Sequence, residues 1–161
     1  MGISKKDWSI RSRTLACLLL TAPFLYLINA FSHKVVLNLT DSVYFTFAFY
    51  RQGPITKGQY VEFQFNHPLV RDGERVRLTK RVACVSGDRL KTKGRYLYCN
   101  DRFLGEALEK TASGKLLDVF VFDDFIPEGM VYLSGDSATS FDSRYWGLMD
   151  IAQLNRVVPI W

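Results

Sequence analysis

The sequence predicts a mainly β fold: an antiparallel, barrel-like domain behind one apolar N-terminal helix. Three observations carry this. One apolar run follows a basic N-terminus, alternating apolar segments recur after residue 32, and glycine-centred turn signals separate them.

The N-terminal element comes first. Lys5, Lys6, Arg11 and Arg13 against Asp7 supply +3 of the formal net charge of +5. The rest of the 161-residue chain is close to balanced, which argues against a nucleic-acid partner, whose basic stripe belongs on the folded domain. "LACLLLTAPFLYLINAF", residues 15–31, is apolar except for Thr21 and Asn29. As a helix it spans about 26 Å, near the lower limit for crossing a bilayer. The positive flank ahead of it predicts a cytoplasmic tail at 1–13, a signal-anchor helix at 14–31 and an extracytoplasmic domain at 32–161. A cleaved signal peptide and a buried core helix are the competing readings. The run continues through Phe31 with no small-x-small cleavage site after it, which favours the anchor. In a bacterium this places the chain in the inner membrane with its domain in the periplasm, in contact with membrane lipid.

Six segments then read as strands: 42–50, 59–65, 75–85, 95–100, 118–122 and 130–135. In the first, "SVYFTFAFY", alternation puts Phe45, Phe47 and Phe49 on one face, read as core. Turn signals stand at Gln52-Gly53-Pro54, Asp72-Gly73, Ser86-Gly87-Asp88, Lys93-Gly94 and Glu128-Gly129. Helical periodicity after residue 32 is confined to a short stretch near 105–112.

The chemistry narrows by exclusion. His33 and His67 are the only histidines, so neither a zinc site nor a Ser-His-Asp triad has its parts. No phosphate-cradling glycine loop is present, and no cofactor or metal is implied. A serine paired with a lysine remains. Lysine serves as a base only when burial brings its pKa towards neutral. Lys80 suits this: in "RLTKRVACV", alternation puts Leu78, Lys80, Val82 and Cys84 on one face and Arg77, Thr79 and Arg81 on the other. Taken alone, the segment reads more readily as a strand-edge lysine.

"KRVACVSGD" (80–88) resembles the lysine box of the signal peptidase I family. "SGDSATSFDSRYWG" (134–147) is similar to that family's last box, "GQYVEFQFNHP" (58–68) resembles the strand between, and "NLTDSVY" (38–44) occupies the place of its nucleophile. The resemblance spans roughly residues 38–147. It implies Ser42 as nucleophile, Lys80 as general base and Ser140 as the hydroxyl that orients Lys80. Thr40 would assist the Ser42 backbone N–H in the oxyanion hole, and Asp136, Asp142 and Arg144 would form a charged scaffold. For Asp142 and Arg144 an ordinary ion pair is the preferred reading.

Departures from the general enzymes matter. Asp41-Ser42-Val43 replaces the usual Gly-Ser-Met, and the last box lacks an Asn-Arg-Asp run. Small size and "Asn-x-Thr-x-Ser" at 38–42 are more similar to the conjugative-transfer maturation peptidases (TraF-type), although their Pro-x-Gly turn after the serine is missing. That branch implies precursor substrates such as a conjugative pilin, in some members with the pilin ends joined into a ring, and conjugative transfer proteins as partners. The alternatives are a general signal peptidase I and a non-catalytic assembly protein of a transfer or secretion system. A self-cleaving Ser-Lys repressor shares the chemistry, but the anchor and the lack of a DNA-binding segment oppose it. Cys84 and Cys99, on successive strands in an oxidising compartment, are candidates for a disulfide, which needs their Cα atoms within about 7 Å. Cys17 lies in the apolar run and is expected to be unpaired.

Overall fold

The computed structural model describes residues 17, 19, 21, 23–26, 29 and 34–160. Those from 17 to 29 are helical and form part of a separate N-terminal unit, Met1–Val35. The basic tail, His33 and much of the apolar run lie outside the described residues. Among the described residues no helix is long and apolar enough to cross a membrane.

The second unit, Val36–Trp161, holds the sheets. The larger one orders its strands β1 (Val35–Leu37), β2 (Phe47–Tyr50), β11 (Asn155–Ile160), β3 (Tyr60–Phe65), β4 (Val76–Val85), β9 (Met130–Ser134) and β10 (Met149–Asp150). The C-terminal strand is thus inserted between β2 and β3, antiparallel to both. The smaller sheet runs β7 (Arg102–Glu106), β6 (Tyr96–Cys99), β5 (Arg89–Lys93) and β8 (Asp123–Phe125), each neighbouring pair antiparallel. Two-residue connections close its hairpins. Gly94 supplies the positive φ in one, and Asn100 and Asp101 (φ 49° and 63°) supply it in the other, the backbone that suits the right-handed twist of paired strands.

One irregularity organises the molecule. Pairing of β4 with β9 shifts between Val82 and Cys84, so Ala83 is an extra residue, a β-bulge. Before it, Val82 packs with Val61, Phe63, Val131 and Leu133 in one core. After it, Cys84 points the other way and joins Leu90, Leu97, Cys99 and Tyr132 in a second core against the small sheet. This corrects the alternation reading that put Cys84 on the face of Lys80 and Val82. Each fully buried Leu or Phe here contributes about 1.5–3 kcal/mol.

Other expectations are corrected as well. Residues 42–46 form turns and bends, so the first strand begins only at Phe47. Phe45 does reach a core, with Val36, Ala48 and Val157, but Phe47 is 49% exposed, so the three phenylalanines are not one buried stripe. Ala48, which a search for large apolar residues passes over, is the buried position. Residues 118–122 are not a strand; pairing begins at Asp123. The 105–112 stretch is not helical, and the end of β7 occupies its start.

Candidate active site

Lys80 sits in the middle of β4, opposite Val61 of β3, and is 1% exposed. Pairing with β9 starts only at Arg81, so beyond Lys80 the neighbour is the loop that leaves β9. Ser140 of that loop, itself buried, accepts a hydrogen bond from Lys80 Nζ at 2.7 Å. Burial lowers the Lys80 pKa from 10.5 to about 8. The charge of Asp142 pulls it back up, Arg144 pushes it down, and Asp136 raises it.

Ser42 lies on the loop between β1 and β2. Asn38 shapes this loop: its Nδ2 donates to the Thr40 and Phe45 carbonyls at 2.7 and 3.1 Å. Thr40 is exposed, and its hydroxyl donates to Asn38 Oδ1 at 2.9 Å. A threonine hydroxyl has one proton to give, so in this arrangement Thr40 spends it within its own loop.

Asp136 fastens the Ser42 loop to the sheet. Its amide donates to the Ser42 carbonyl at 2.7 Å, and its carboxylate accepts from the Tyr44 amide at 3.2 Å and from the Tyr60 hydroxyl at 2.8 Å. Arg81 Nε stands 3.4 Å from the same carboxylate. Between the two loops is Gly135. A Cβ there would overlap the Ser140 side chain and come within 2.8 Å of the Ser42 carbonyl. Its φ lies outside the left-handed range, so the requirement is space alone. Gly135→Ala should therefore force Ser140 and the Ser42 loop apart, at about 1–3 kcal/mol of overpacking. We expect the melting temperature to fall by roughly 2–12 °C while circular dichroism stays native. An unchanged melting temperature would show that this approach is not needed.

Behind Ser140, Asp142 and Arg144 form a buried pair, Arg144 Nε donating to Asp142 Oδ1 at 2.8 Å. Asp142 also accepts from the Gly135 amide and caps the single helical turn Ser143–Trp146 through the Arg144 amide. Arg144 donates further to the carbonyls of Glu106, Ala138 and Ser140. Phe141 stacks on Tyr145 and meets His67, which stacks on Phe65. His67 is thus part of an aromatic wall.

The structure therefore brings Lys80, Ser140, Gly135, Asp136 and the Ser42 backbone into one cluster, with Asp142 and Arg144 beneath. Cys84 and Cys99 lie elsewhere, joined as a disulfide with their Cα atoms 6.1 Å apart. Asp88 is close to both sulfurs, but they are bonded to each other, which leaves no thiolate to ligate a metal. Sequence reading gave no role to Asn38, Tyr60 or Gly135, although all three stand in the stretches that carry the family resemblance.

Residues 10–161 match the family described as "Signal peptidase, peptidase S26". The chain belongs to this family. It is 29% identical over 116 residues to the protein named "Signal peptidase I" of Bacillus caldolyticus, a match that covers 65% of this chain and 60% of that relative. A crystal structure of a signal peptidase I from Enterococcus faecalis is 25% identical, covering 64% of this chain and 97% of the other, with a TM-score of 0.37. Within the signal peptidase family, the cluster built here has the makings of hydroxyl nucleophile chemistry. It combines a desolvated amine, a serine that holds it, and a second serine on a tethered loop.

Proposed function

We propose that this chain is a membrane-anchored Ser-Lys endopeptidase that cleaves exported precursor proteins. One observation carries the reading: Lys80, buried and hydrogen-bonded to Ser140, has its pKa lowered to about 8. A structural lysine has no need of such a setting. Neutral Lys80 takes the proton from Ser42 Oγ as that oxygen attacks the scissile carbonyl. The Ser42 amide stabilises the oxyanion, and Thr40 joins it once its hydroxyl turns from Asn38. The Lys80 ammonium then protonates the leaving amine, and an acyl-Ser42 ester remains. Attack by water releases the acid and restores the serine. Attack by an amine of the same precursor closes a ring instead.

In this proposal residues 1–13 are a cytoplasmic tail, 14–31 the anchor, and 32–161 a periplasmic domain. Exposed Leu39, Tyr44 and Phe47 on the nucleophile's own segment suit substrates emerging from lipid. Loop sequence favours a conjugative pilin, handled alongside other transfer proteins. The named Bacillus relative favours the second reading, a general signal peptidase I.

The test is to co-express pilin-like and ordinary secretory precursors with wild type and Ser42→Ala, and to weigh the products. A shortened product made only by wild type supports the peptidase, and the precursor cut distinguishes the two readings. A mass lower by one further water marks ring closure. Equal processing in both strains removes Ser42 from the chemistry.

The pH profile follows from the lysine. The protonated fraction of Lys80 falls as pH rises through about 8, and only the neutral amine accepts a proton. We expect kcat/KM to rise about tenfold per pH unit below that midpoint and level off above it. A flat profile between pH 6 and 9 would oppose the general-base role.

A further inference from the structure

A second feature lies on the opposite face of β4. Arg81 alternates with Lys80 and pairs with Ser134. Arg81 also reaches Asp136 at the edge of the site described above, but both residues lie on the face of β4 opposite Lys80. There they border a cavity of about 140 Å³, walled also by Lys57, Gly58, Arg102 and Phe103. Three of its lining residues are cationic and none is a carboxylate.

The cations are held in different ways. Lys57 Nζ is 2.7 Å from Asp88 Oδ2, and Arg81 Nε is 3.4 Å from Asp136 Oδ1. Those two carboxylates lie outside the lining and hold their partners in place. Arg102, at the start of β7 opposite Cys99, has no ion-pair or hydrogen-bond partner among the described residues. The lining thus keeps about one net positive charge that nothing described neutralises, beside the Ser134 hydroxyl.

Size limits the ligand. The volume far exceeds the ~10–15 Å³ that one water needs and falls short of the ~300–1,000 Å³ of pockets that enclose whole organic ligands. We propose that this cavity is a binding site for a phosphate group. Arg102, Arg81 and Lys57 supply charge-assisted donors, and Ser134 supplies a neutral one. Half-exposed Phe103 gives apolar surface to the carbon of an ester. A phospholipid headgroup and free phosphate share this chemistry.

The experiment uses the full chain in a neutral detergent. Inorganic phosphate is titrated against a chloride control of equal ionic strength, following the Gly58 and Ser134 amides by NMR and the melting temperature. Saturable binding is expected in wild type and in Ser42→Ala, so the result stands apart from the peptidase reading. Arg102→Gln and Lys57→Gln should each weaken it about tenfold or more, with native circular dichroism. Arg102→Gln should keep basal precursor cleavage.

Vesicles of phosphatidylglycerol and of phosphatidylcholine then separate the sources. Preference for phosphatidylglycerol that Arg102→Gln loses assigns a lipid headgroup. Phosphate binding that Arg102→Gln loses while vesicle binding is unchanged assigns a soluble phosphate. No saturable binding beyond the chloride control, or equal binding in wild type and a folded Arg102→Gln, overturns the proposal.

Discussion

Ser42→Ala and Lys80→Ala should each reduce precursor cleavage on the order of 10³-fold or more, and the double variant should lose little beyond either. A hydroxyl without its base and a base without its hydroxyl leave the same residual activity, since neither half makes the nucleophile alone. Rates measured on one precursor for the three variants check this; losses that multiply would show independent roles. Lys80→Met separates chemistry from folding. It fills similar volume in an apolar layer without the cost of desolvating an amine. It should be equally inactive, with a melting temperature at or above that of wild type. A collapse in stability would make Lys80 a structural residue.

The largest effect on stability is expected at Asp142. Asp142→Ala leaves the Arg144 guanidinium 5% exposed without its carboxylate. It also removes the cap of the helical turn and the acceptor of the Gly135 amide. Breaking a buried pair in this way costs about 3–5 kcal/mol, or roughly 6–20 °C in melting temperature for a chain of this size. Scanning calorimetry gives the value directly; a change within about 2 °C would mean that water enters and hydrates Arg144. The milder Asp142→Asn carries a second readout. The Asp142 charge raises the Lys80 pKa and Arg144 lowers it. Losing the carboxylate charge alone should therefore move the pH midpoint below 8, which a purely structural role would not do.

The parts legible in sequence were those with strong local signatures. Alternation marked β3, β4 and β9, each with large apolar residues along one face. It failed for β5, where Leu90 is the only fully buried residue among charged neighbours, and for β8, whose three residues are all exposed. β11 was invisible because its position, between β2 and β3, depends on partners about 100 residues away in sequence. At the site, Ser42, Lys80 and Ser140 were singled out through the resemblance, and the lysine also through its apolar setting. Asn38 and Tyr60 were given no role: Asn38 acts through the Thr40 and Phe45 carbonyls, which the folded loop alone turns towards it, and Tyr60 acts through the distant Asp136. A polar side chain in a loop announces nothing until the chain folds.

The extra residue at Ala83 has a consequence for how this strand tolerates insertion and deletion. Drawing Ala83 into regular pairing would return β4 to strict alternation and put Cys84 on the face of Lys80 and Val82, turned from Cys99. Deleting Ala83 has no such effect, because Val82 and Cys84 then become neighbours and alternation alone sets them on opposite faces. The strand should therefore tolerate the loss of this residue better than the gain of a regularly paired one between residues 80 and 84, which would turn Cys84 from Cys99 or Lys80 from Ser140.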